Sequence, residues 1–469
     1  MKPPKLVLVF LVFFFIIGFL FVGYLERSKI ILIRKGLESN RQSTPSGRKD
    51  HLNTAWGGPN YDFGIDVAMD SLGKIYVTGS TYSFGAGICD VFVAQYDNSG
   101  NLIWDALWGG NSLDEAYAIA LDDSNNIYIT GVTMSFGGGS EDPFLLCFNR
   151  LGSLVWNTTF REYKSAFGLD IAVDRFNKIY ITGVTDGKIP YENDAFLVQY
   201  DKMGIQQWNT TWGGDKHEAG TGVAVDDSGN VYMTGFTYGF NTQRGDMLLV
   251  KYDNLGIQQW NITWGGDDYD WGLDIAIDRY NNIYVTGRTT SFGVGDYDLF
   301  LTCFNSAGSL IWNTTWGGKA DDEGWDIMVD DFGIIYVTGY TESFGAGELD
   351  VFLTCFNSAG SLIWNTTWGG KANDEGRGVI VDDSNNIYVT GKTESFDVAQ
   401  QNAFLGRFDK YGELIWINYG NSSENIKISI PNEILPTFLT NTAVFGVIFT
   451  VLSLLVYYRG KKMEIIHKN

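Results

Sequence analysis

The sequence predicts an all-β fold made of seven equal units, and three observations in the 469-residue chain lead to that prediction. First, residues 300–324 reappear as residues 352–376 with one change, Asp321 to Asn373. Second, the aromatic residue that opens each unit recurs every 52 residues, from Trp56 to Trp368, with no drift in length. Third, each unit contains four short apolar runs bounded by turn residues, the pattern of consecutive hairpins. The chain is therefore a tandem array.

Unit four shows the four runs most clearly. They begin at Thr221, Val231, Met247 and Ile257, and short turns or one longer loop separate them. Four antiparallel strands in about fifty residues match one blade of a β-propeller. We therefore expect a seven-bladed β-propeller of four-stranded antiparallel blades, flanked by one N-terminal and one C-terminal transmembrane helix. A linear β-solenoid is the alternative, but its coils are usually shorter.

Several positions carry the same residue in all seven units, and packing explains them. Tyr76, Gly100 and Trp104 have identical equivalents in every other unit. Glycine suits tight turns and close backbone approach. Trp104 and Trp108 lie four apart on a strand and so share one face, where they can fill the wedge between neighbouring sheets.

The repeated text also resembles a known family. VDDSGNVYMTGFT at Val225 to Thr237, and DAFLVQYDKMG at Asp194 to Gly204 followed by a strand that ends in WGG, resemble the SBBP β-propeller repeat of prokaryotic surface proteins. The resemblance covers residues 56–420. It implies the blade fold but no single activity. Unit three departs most, because Phe160-Arg161-Glu162 replaces Trp-Gly-Gly.

Residues 1–25 are predicted to form a signal anchor or transmembrane helix. The stretch from Leu6 to Leu25 carries no charge and follows Lys2 and Lys5, and it is long enough to cross a bilayer as a helix. A cleaved secretory signal is the alternative. Residues 26–50 form a basic linker. Basic residues beside a span usually stay in the cytoplasm, which argues against export of the repeat region.

A second transmembrane helix is predicted over residues 434–458, after a polar tether at residues 422–433. Ile434 to Tyr458 has no charged residue, and a basic cytoplasmic tail, residues 459–469, comes after it. With both ends anchored, residues 51–421 would form a propeller on the extracytoplasmic side of the cell membrane, and both termini would contact membrane lipid.

The strand that closes the ring is left open by the sequence. His51 to Trp56 resembles the end of a blade's fourth strand, whereas Glu413 to Tyr419 offers blade seven a fourth strand of its own. The two segments could compete or lie side by side.

The charge of the chain excludes one class of partner. The formal net charge is −22, from 33 basic and 55 acidic side chains. The two ends, residues 1–50 and 434–469, hold 13 of the basic and four of the acidic ones, which leaves 20 basic, 51 acidic and a net −31 between them. Such a surface repels nucleic acid and favours cations or basic partners.

The acidic excess lies at loops that should share one rim of the ring, which we call the link rim. In a propeller, the links between blades lie on the same rim as the loops between second and third strands. The links contain Asp114-Glu115, Asp267-Asp268, Asp321-Asp322-Glu323 and Asp374-Glu375, and the loops contain Glu141-Asp142, Asp296, Asp298, Glu348 and Asp350. The opposite rim, the turn rim, carries hairpin turns such as Asp122-Asp123.

Clustered carboxylates suggest a cation site on the link rim. The candidate residues are Asp321, Asp322, Glu323, Asp298 and Asp350, with calcium as the candidate ion because hard cations prefer oxygen ligands. No EF-hand loop is complete, and solvated acidic turns are the alternative. No other cofactor is predicted.

A second set of carboxylates recurs on the innermost strand, at Asp66, Asp170, Asp274 and Asp326. These could line the mouth of a central channel and hold an ion or select a ligand. We expect instead that they accept hydrogen bonds from neighbouring strands.

Signals for catalysis are poor, and no catalytic residue is predicted. Of three histidines, only His217 lies within the blades, so a triad would have to be built on that ring. Cys147, Cys303 and Cys355 occupy one repeat position in different blades, too far apart for a disulfide. With Cys89, they are predicted to be free thiols.

Six asparagines begin glycosylation sequons. Asn157, Asn209, Asn261, Asn313 and Asn365 each start an N-x-Thr on the outermost strand, facing away from the tryptophans, and Asn421 starts N-S-S. Simple duplication of the NTT text is the alternative explanation.

The function predicted from these features is a membrane-anchored extracellular binding or scaffold module with an unknown protein or glycan ligand. The alternative is a cation-dependent carbohydrate-binding protein or hydrolase that uses rim carboxylates. A binding site should break the sevenfold regularity with converging irregular loops. The irregular loops belong to units three and seven, which are not adjacent in the chain.

Overall fold

The computed structural model describes residues 56–138, 140–160, 164–186, 193–239, 244–396 and 401–419. In these residues it shows 28 strands in seven four-stranded sheets. The all-β fold and the seven blades are therefore confirmed. The predicted segments Leu6 to Leu25 and Ile434 to Tyr458, the linker, the tether and the tail lie outside the described residues.

The strands of the first four blades follow the repeat. Blade one is β1 (Asp62–Met69), β2 (Ile75–Thr81), β3 (Asp90–Tyr96) and β4 (Leu102–Trp108); blade two is β5 (Asp114–Leu121), β6 (Ile127–Thr133), β7 (Asp142–Phe148) and β8 (Leu154–Thr159). Blade three is β9 (Ala166–Val173), β10 (Ile179–Asp186), β11 (Asn193–Tyr200) and β12 (Gln206–Trp212); blade four is β13 (Glu218–Val225), β14 (Val231–Thr237), β15 (Asp246–Tyr252) and β16 (Gln258–Trp264).

The last three blades continue the same order. Blade five is β17 (Asp270–Ile277), β18 (Ile283–Thr289), β19 (Asp298–Phe304) and β20 (Leu310–Trp316); blade six is β21 (Asp322–Val329), β22 (Ile335–Thr341), β23 (Asp350–Phe356) and β24 (Leu362–Trp368). Blade seven is β25 (Asp374–Val381), β26 (Ile387–Thr393), β27 (Asn402–Phe408) and β28 (Leu414–Tyr419).

Every sheet takes its four strands from one repeat, in chain order and antiparallel. Blade seven does the same, because β28 pairs with β27. The structure therefore gives blade seven its own fourth strand, from Leu414 to Tyr419. His51 to Ala55, the rest of the competing segment, lies outside the described residues.

Each innermost strand contains a β-bulge near its start. In β1 the register to β2 shifts between Gly64 and Asp66, and the same shift recurs in the first strand of every other blade. A bulge bends the strand and redirects the side chains beside it. This places the residue between the two shifted positions, Ile65 in blade one, against the central axis.

The core lies between neighbouring blades, because the middle two strands of each blade are almost wholly buried. Trp108, at the end of β4, packs on Phe136 and Phe144 of the next blade with ring centroids 5.0 and 4.7 Å apart. Trp104 covers the β7–β8 turn of that blade so closely that a Cβ on Gly152 would lie 2.7 Å from its ring. The predicted packing role of both tryptophans is confirmed.

The ring closes between blades seven and one with the same contacts. Trp416 of blade seven covers Gly100 of blade one as Trp104 covers Gly152. The amide of Asp62 donates to the carbonyl of Gln401 over 3.0 Å. Trp56, which precedes β1, stacks on Phe92 at 3.8 Å. The 52-residue period puts Gly420 in register with Trp368, and Trp56 supplies the missing aromatic at this seam.

The turn rim is held by its aspartates. Asp70 Oδ1 accepts hydrogen bonds from the amides of Leu72 and Lys74 at 2.9 and 2.8 Å, and its Oδ2 accepts one from the Tyr76 hydroxyl at 3.1 Å. Asx turns of this kind fix a hairpin turn by satisfying its backbone donors. The prediction that these aspartates are turn residues is confirmed.

All four cysteines are unpaired, as predicted, and the structure shows that they are buried.

In the part of the chain that the structure describes, no helix is long and apolar enough to span a bilayer.

Candidate functional site

The loops of the link rim fold onto one another, as the sequence predicts. In blade two, Ser135 of the β6–β7 loop accepts a hydrogen bond from the amide of Ser112, in the link before β5, at 2.9 Å. Equivalent serines do the same in blades one, five, six and seven. The links and the second-to-third-strand loops therefore share one rim.

The first carboxylate of the innermost strand organises this rim. Asp114 accepts hydrogen bonds from the Gly110 amide at 2.7 Å, from the Ser135 hydroxyl at 2.6 Å and from the Thr133 hydroxyl. The same acceptor recurs as Asp62, Glu218, Asp270, Asp322 and Asp374. Blade three has Ala166 instead. These side chains are buried acceptors and do not form a solvated acidic surface.

In the structure, each of the five candidate cation ligands forms a hydrogen bond or an ion pair with another group of the protein. Asp322 caps the Gly318 amide at 2.6 Å, and Glu323 pairs with Arg288 at 2.6 Å. Asp321 accepts from the Tyr297 amide at 3.1 Å. Asp298 and Asp350 each accept two amide hydrogen bonds from the loop that precedes them.

Two of these carboxylates, Asp298 and Asp322, nevertheless lie beside the same glycine. A Cβ placed on Gly317 would lie 1.9 Å from Asp298 Oδ1 and 2.8 Å from Asp322 Oδ2, so both carboxyl groups flank this glycine. Asp350 and Asp374 flank Gly369 in the same way. No group of three or more His, Cys, Asp or Glu side chains placed to hold a metal ion occurs among the described residues. Calcium binding on the link rim stays a prediction.

A cavity of about 490 Å³ lies on the axis of the ring, and we call it the channel cavity. Its walls come from the first halves of the innermost strands, so it lies toward the link rim. The residues that line it are Phe63, Gly64, Ile65, Asp66, Tyr117, Ala118, Leu169, Asp170, Thr221, Leu273, Asp274, Trp325, Asp326, Arg377 and Lys392.

The four channel aspartates join neighbouring blades, as expected. Asp66 Oδ2 accepts a hydrogen bond from the Ile119 amide of the next blade at 2.8 Å, while its Oδ1 accepts from its own neighbour Val67 at 2.7 Å. Asp170 binds the Val223 amide in the same way at 2.6 Å. Asp274 and Asp326 repeat the contact toward blades six and seven. Each carboxyl therefore fastens one innermost strand to the next.

Burial sets the charge of these groups. Loss of hydration, with repulsion between the carboxyls as a smaller cause, raises the pKa of Asp66 and of Asp170 to about 8. It raises the pKa of Asp274 to about 7 and that of Asp326 well above its usual range. The neighbouring Asp274 carboxyl is a further cause of the raised pKa of Asp326. Burial therefore disfavours the charged form of these four carboxyls.

The positive charge of the cavity is concentrated in blade seven. Arg377 and Lys392 both line the cavity and both bind Glu375, at 2.5 and 2.8 Å. The Arg377 guanidinium also lies 3.8 Å from the centre of the Trp325 ring, a cation–π contact. The Trp325 indole nitrogen is buried and has no hydrogen-bond partner.

Sequence reasoning missed this lining, although a signal was present. The bulge residue of the innermost strand is Ile65, Tyr117, Leu169, Thr221, Leu273, Trp325 or Arg377 according to the blade. Trp325 and Arg377 directly follow the two copies of the repeated text, residues 300–324 and 352–376, and apart from the change of Asp321 to Asn373 they are the first residues at which the copies diverge. The sequence shows this divergence, but the bulge is needed to show that the residue faces the axis.

The remaining predicted residues lie away from the cavity. Asn157, Asn261, Asn313 and Asn365 are exposed on the outermost strands, and Asn209 is half-buried. Asn421 lies outside the described residues, and glycosylation at all six stays a prediction. His217 is exposed in the link before β13, with its ring 6.2 Å from that of Tyr238.

Comparison with known families identifies the repeat. Residues 56–85, 262–293 and 368–397 match the beta-propeller repeat family SBBP. These segments span the link, the innermost strand and the second strand of units one, five and seven, so the resemblance seen in the sequence is confirmed.

Curated relatives are distant and longer. An uncharacterized WD repeat-containing protein of Acanthamoeba polyphaga mimivirus is 21% identical over 67% of this chain and 34% of its own length. The regulatory protein FlaEY of Caulobacter vibrioides is 24% identical over 32% of this chain and 18% of its own length. This chain therefore spans about a third of the first relative and less than a fifth of the second.

Solved structures resemble the chain only loosely. Sqt1 from Chaetomium thermophilum is 12% identical with a TM-score of 0.46, covering 82% of this chain and 88% of its own. The beta-propeller domain of the Trilobed protease from Pyrococcus furiosus is 9% identical with a TM-score of 0.45, covering 79% and 98%. Similarity at this level carries no argument about function.

Proposed function

We propose that this chain, a seven-bladed β-propeller that contains SBBP repeats, is a membrane-anchored binding module whose ring lies outside the cell and takes its ligand into the channel cavity. The observation that carries the proposal is the variable lining. The bulge residues of successive blades, such as Leu273, Trp325 and Arg377, line one cavity but differ in size, polarity and charge. A lining with no sevenfold symmetry suits a ligand with no sevenfold symmetry.

The path of the chain supports anchoring through both ends. Trp56 packs against Phe84 with ring centroids 5.5 Å apart, and Tyr419 packs against Phe396 at 5.2 Å. Both phenylalanines belong to loops of the link rim, so the chain enters and leaves the ring on that rim. Fourteen residues separate Tyr419 from Ile434, a reach of at most about 50 Å. Hydrophobic spans at both ends would therefore hold the link rim toward the bilayer.

The alternative, a cation-dependent carbohydrate-binding protein or hydrolase at the link rim, has less support. Its carboxylates are the acceptors that hold the rim loops together, as with Asp322 and the Gly318 amide. If these carboxylates bound a metal ion or acted in catalysis instead, the buried N–H and O–H donors that they now pair with would lose their acceptor.

Ligand binding can be tested by filling the cavity. Leu169→Trp puts the residue of blade six, Trp325, at the same position of blade three, so the strand should tolerate it while the cavity loses volume. The matched control is Leu151→Trp, at an exposed turn on the opposite rim. Each full-length variant is screened by thermal shift with a panel of small metabolites. We expect at least one compound to stabilise the wild type and the control but not Leu169→Trp. Equal stabilisation of all three would refute binding in the cavity.

The side of the membrane needs a separate test. Leu151 is 72% exposed and the native cysteines are buried, so Leu151→Cys introduces one reactive thiol on the turn rim. A membrane-impermeant maleimide added to intact cells should label this variant and leave the wild type unlabelled. Labelling that appears only after lysis would refute an extracytoplasmic ring.

A further inference from the structure

The channel cavity has two chemically different sides. Blade seven contributes Arg377 and Lys392, and blade six contributes Trp325 beside them. Across the ring, blades two to four contribute Ala118, Leu169 and Thr221, together with Asp170. A ligand that fills the cavity therefore meets cations and an indole on one side and aliphatic side chains on much of the other.

Arg377 and Lys392 have more N–H donors than their shared partner can accept from. A guanidinium carries five N–H donors and an ammonium three, while Glu375 alone pairs with both groups at 2.5 and 2.8 Å. One carboxylate against two cations leaves one unit of positive charge. Glu375 is not among the residues that line the cavity, so the uncompensated donors of Arg377 and Lys392 are the charged groups that a ligand would meet there.

Burial disfavours the charged form of the four carboxyls in the lining. It raises the pKa of Asp66 and Asp170 to about 8, that of Asp274 to about 7 and that of Asp326 well above its usual range. Each of the four also accepts a hydrogen bond from a backbone amide of the next blade. A neutral carboxyl can accept a hydrogen bond from a ligand or donate one to it, and it does not repel an anion.

We propose, as a refinement that depends on the proposed function, that the channel cavity binds a small organic acid. Its acid group lies on Arg377 and Lys392, and its ring or apolar body lies against Trp325 and the aliphatic side chains opposite. Arginine binds a planar carboxylate through paired N–H donors. The volume of about 490 Å³ lies within the range of small-molecule sites.

The test compares acids with their own amides. Phenylacetate, cyclohexanecarboxylate and galacturonate are each paired with the primary amide, and binding to the full-length chain is measured by saturation-transfer NMR and calorimetry near pH 6.5. We expect at least one acid to bind at least tenfold more tightly than its amide. If no acid binds, or if the amides bind equally well, the inference is overturned.

Two variants with natural precedents locate the acid group. Arg377→Leu reproduces the residue of blades three and five, and Lys392→Val reproduces Val132 and Val184 of blades two and three, so both should fold. The control is Arg279→Gln, which removes a cation stacked on Tyr280 at the turn rim. We expect each cavity variant to weaken acid binding at least tenfold and the control to leave it unchanged. Wild-type affinity in Arg377→Leu would overturn the inference.

The same experiments separate the two proposals. A neutral or cationic compound that stabilises the wild type but not Leu169→Trp would keep the binding function and refute the organic-acid ligand. Binding of an acid that Leu169→Trp does not impair would refute the cavity as the site of both.

Discussion

Replacing Trp56 by alanine should open the seam between blades one and seven. The indole is 6% exposed, stacks on Phe92 at 3.8 Å and donates to Asp105 over 3.3 Å. Truncation of a buried aromatic residue usually costs about 3–5 kcal/mol. We expect a loss in this range, because Trp56 belongs to the buried cluster that joins blade one to Leu405 and Trp416 of blade seven.

The matched control is Trp108→Ala, at the same repeat position between blades one and two. Trp108 is 9% exposed and touches Phe136 and Phe144, which are the equivalents of Phe84 and Phe92. Urea unfolding of the full-length chain, monitored by far-ultraviolet circular dichroism, gives the free energy of unfolding of both variants. We expect losses that agree within about 1 kcal/mol.

A loss below about 1 kcal/mol for Trp56→Ala, with the full loss for Trp108→Ala, would refute the role of Trp56 at the seam. Adding Gly420→Trp to Trp56→Ala provides a second check, since the repeat period aligns residue 420 with Trp368. Recovery of stability would show that the seam requires an aromatic side chain and not the N-terminal backbone.

Four further outcomes are expected from the structure. The free energy of unfolding should fall as the pH rises from about 4 to about 8, because Asp66 and Asp170 keep protons in the folded state that unfolded carboxyls lose. Asp66→Ala, which copies Ala118 of blade two, should make the free energy of unfolding depend less steeply on pH, by up to about 1.4 kcal/mol per pH unit in urea titrations. An unchanged pH dependence would contradict the raised pKa. In urea unfolding, Gly360→Ala should lower the free energy of unfolding by about 1–3 kcal/mol more than Gly73→Ala. Both glycines have φ near +75°, but only at residue 360 would the added Cβ press against a tryptophan, 2.6 Å from Trp312. Equal losses of stability would argue against that packing. The four thiols should react slowly with a thiol reagent in the folded chain and all together on unfolding, because burial raises the pKa of each to about 12. Rapid labelling of any thiol in the folded chain would contradict their burial. Asp322→Ala should lower the free energy of unfolding by about 3 kcal/mol, because buried donors lose their acceptor. A rise in melting temperature with calcium that Asp322→Ala abolishes would support the predicted cation site, and a melting temperature that neither calcium nor a chelator changes would count against it.

Much of the fold was predictable from local regularities in the sequence. The 52-residue period from Trp56 to Trp368 fixes the number of units, and the apolar runs fix the strands within each unit. These features can be read without coordinates because hairpin turns and strand alternation depend on residues close together in the chain. The packing role of Trp104 and the turn role of Asp122 were predictable for the same reason.

The site was less predictable because its contacts join residues far apart in the chain. Asp66 accepts a hydrogen bond from the amide of Ile119 in the next blade, and Asp298 and Asp322, from neighbouring blades, both lie beside Gly317. The sequence marks these residues as recurring carboxylates, but it does not say whether water, a cation or a backbone amide satisfies them. For Asp66, the neighbouring blade supplies the amide.

The sequence by itself determined the repeat, the number of blades, the sign of the net charge and the two hydrophobic segments, because each depends on composition or on spacing along the chain. Only the tertiary structure decided that blade seven keeps its own fourth strand, that Trp56 fills the seam, and that Arg377, Lys392 and Trp325 face one cavity. The bulge turns one variable residue of each blade toward the axis, and closure of the ring brings those residues together.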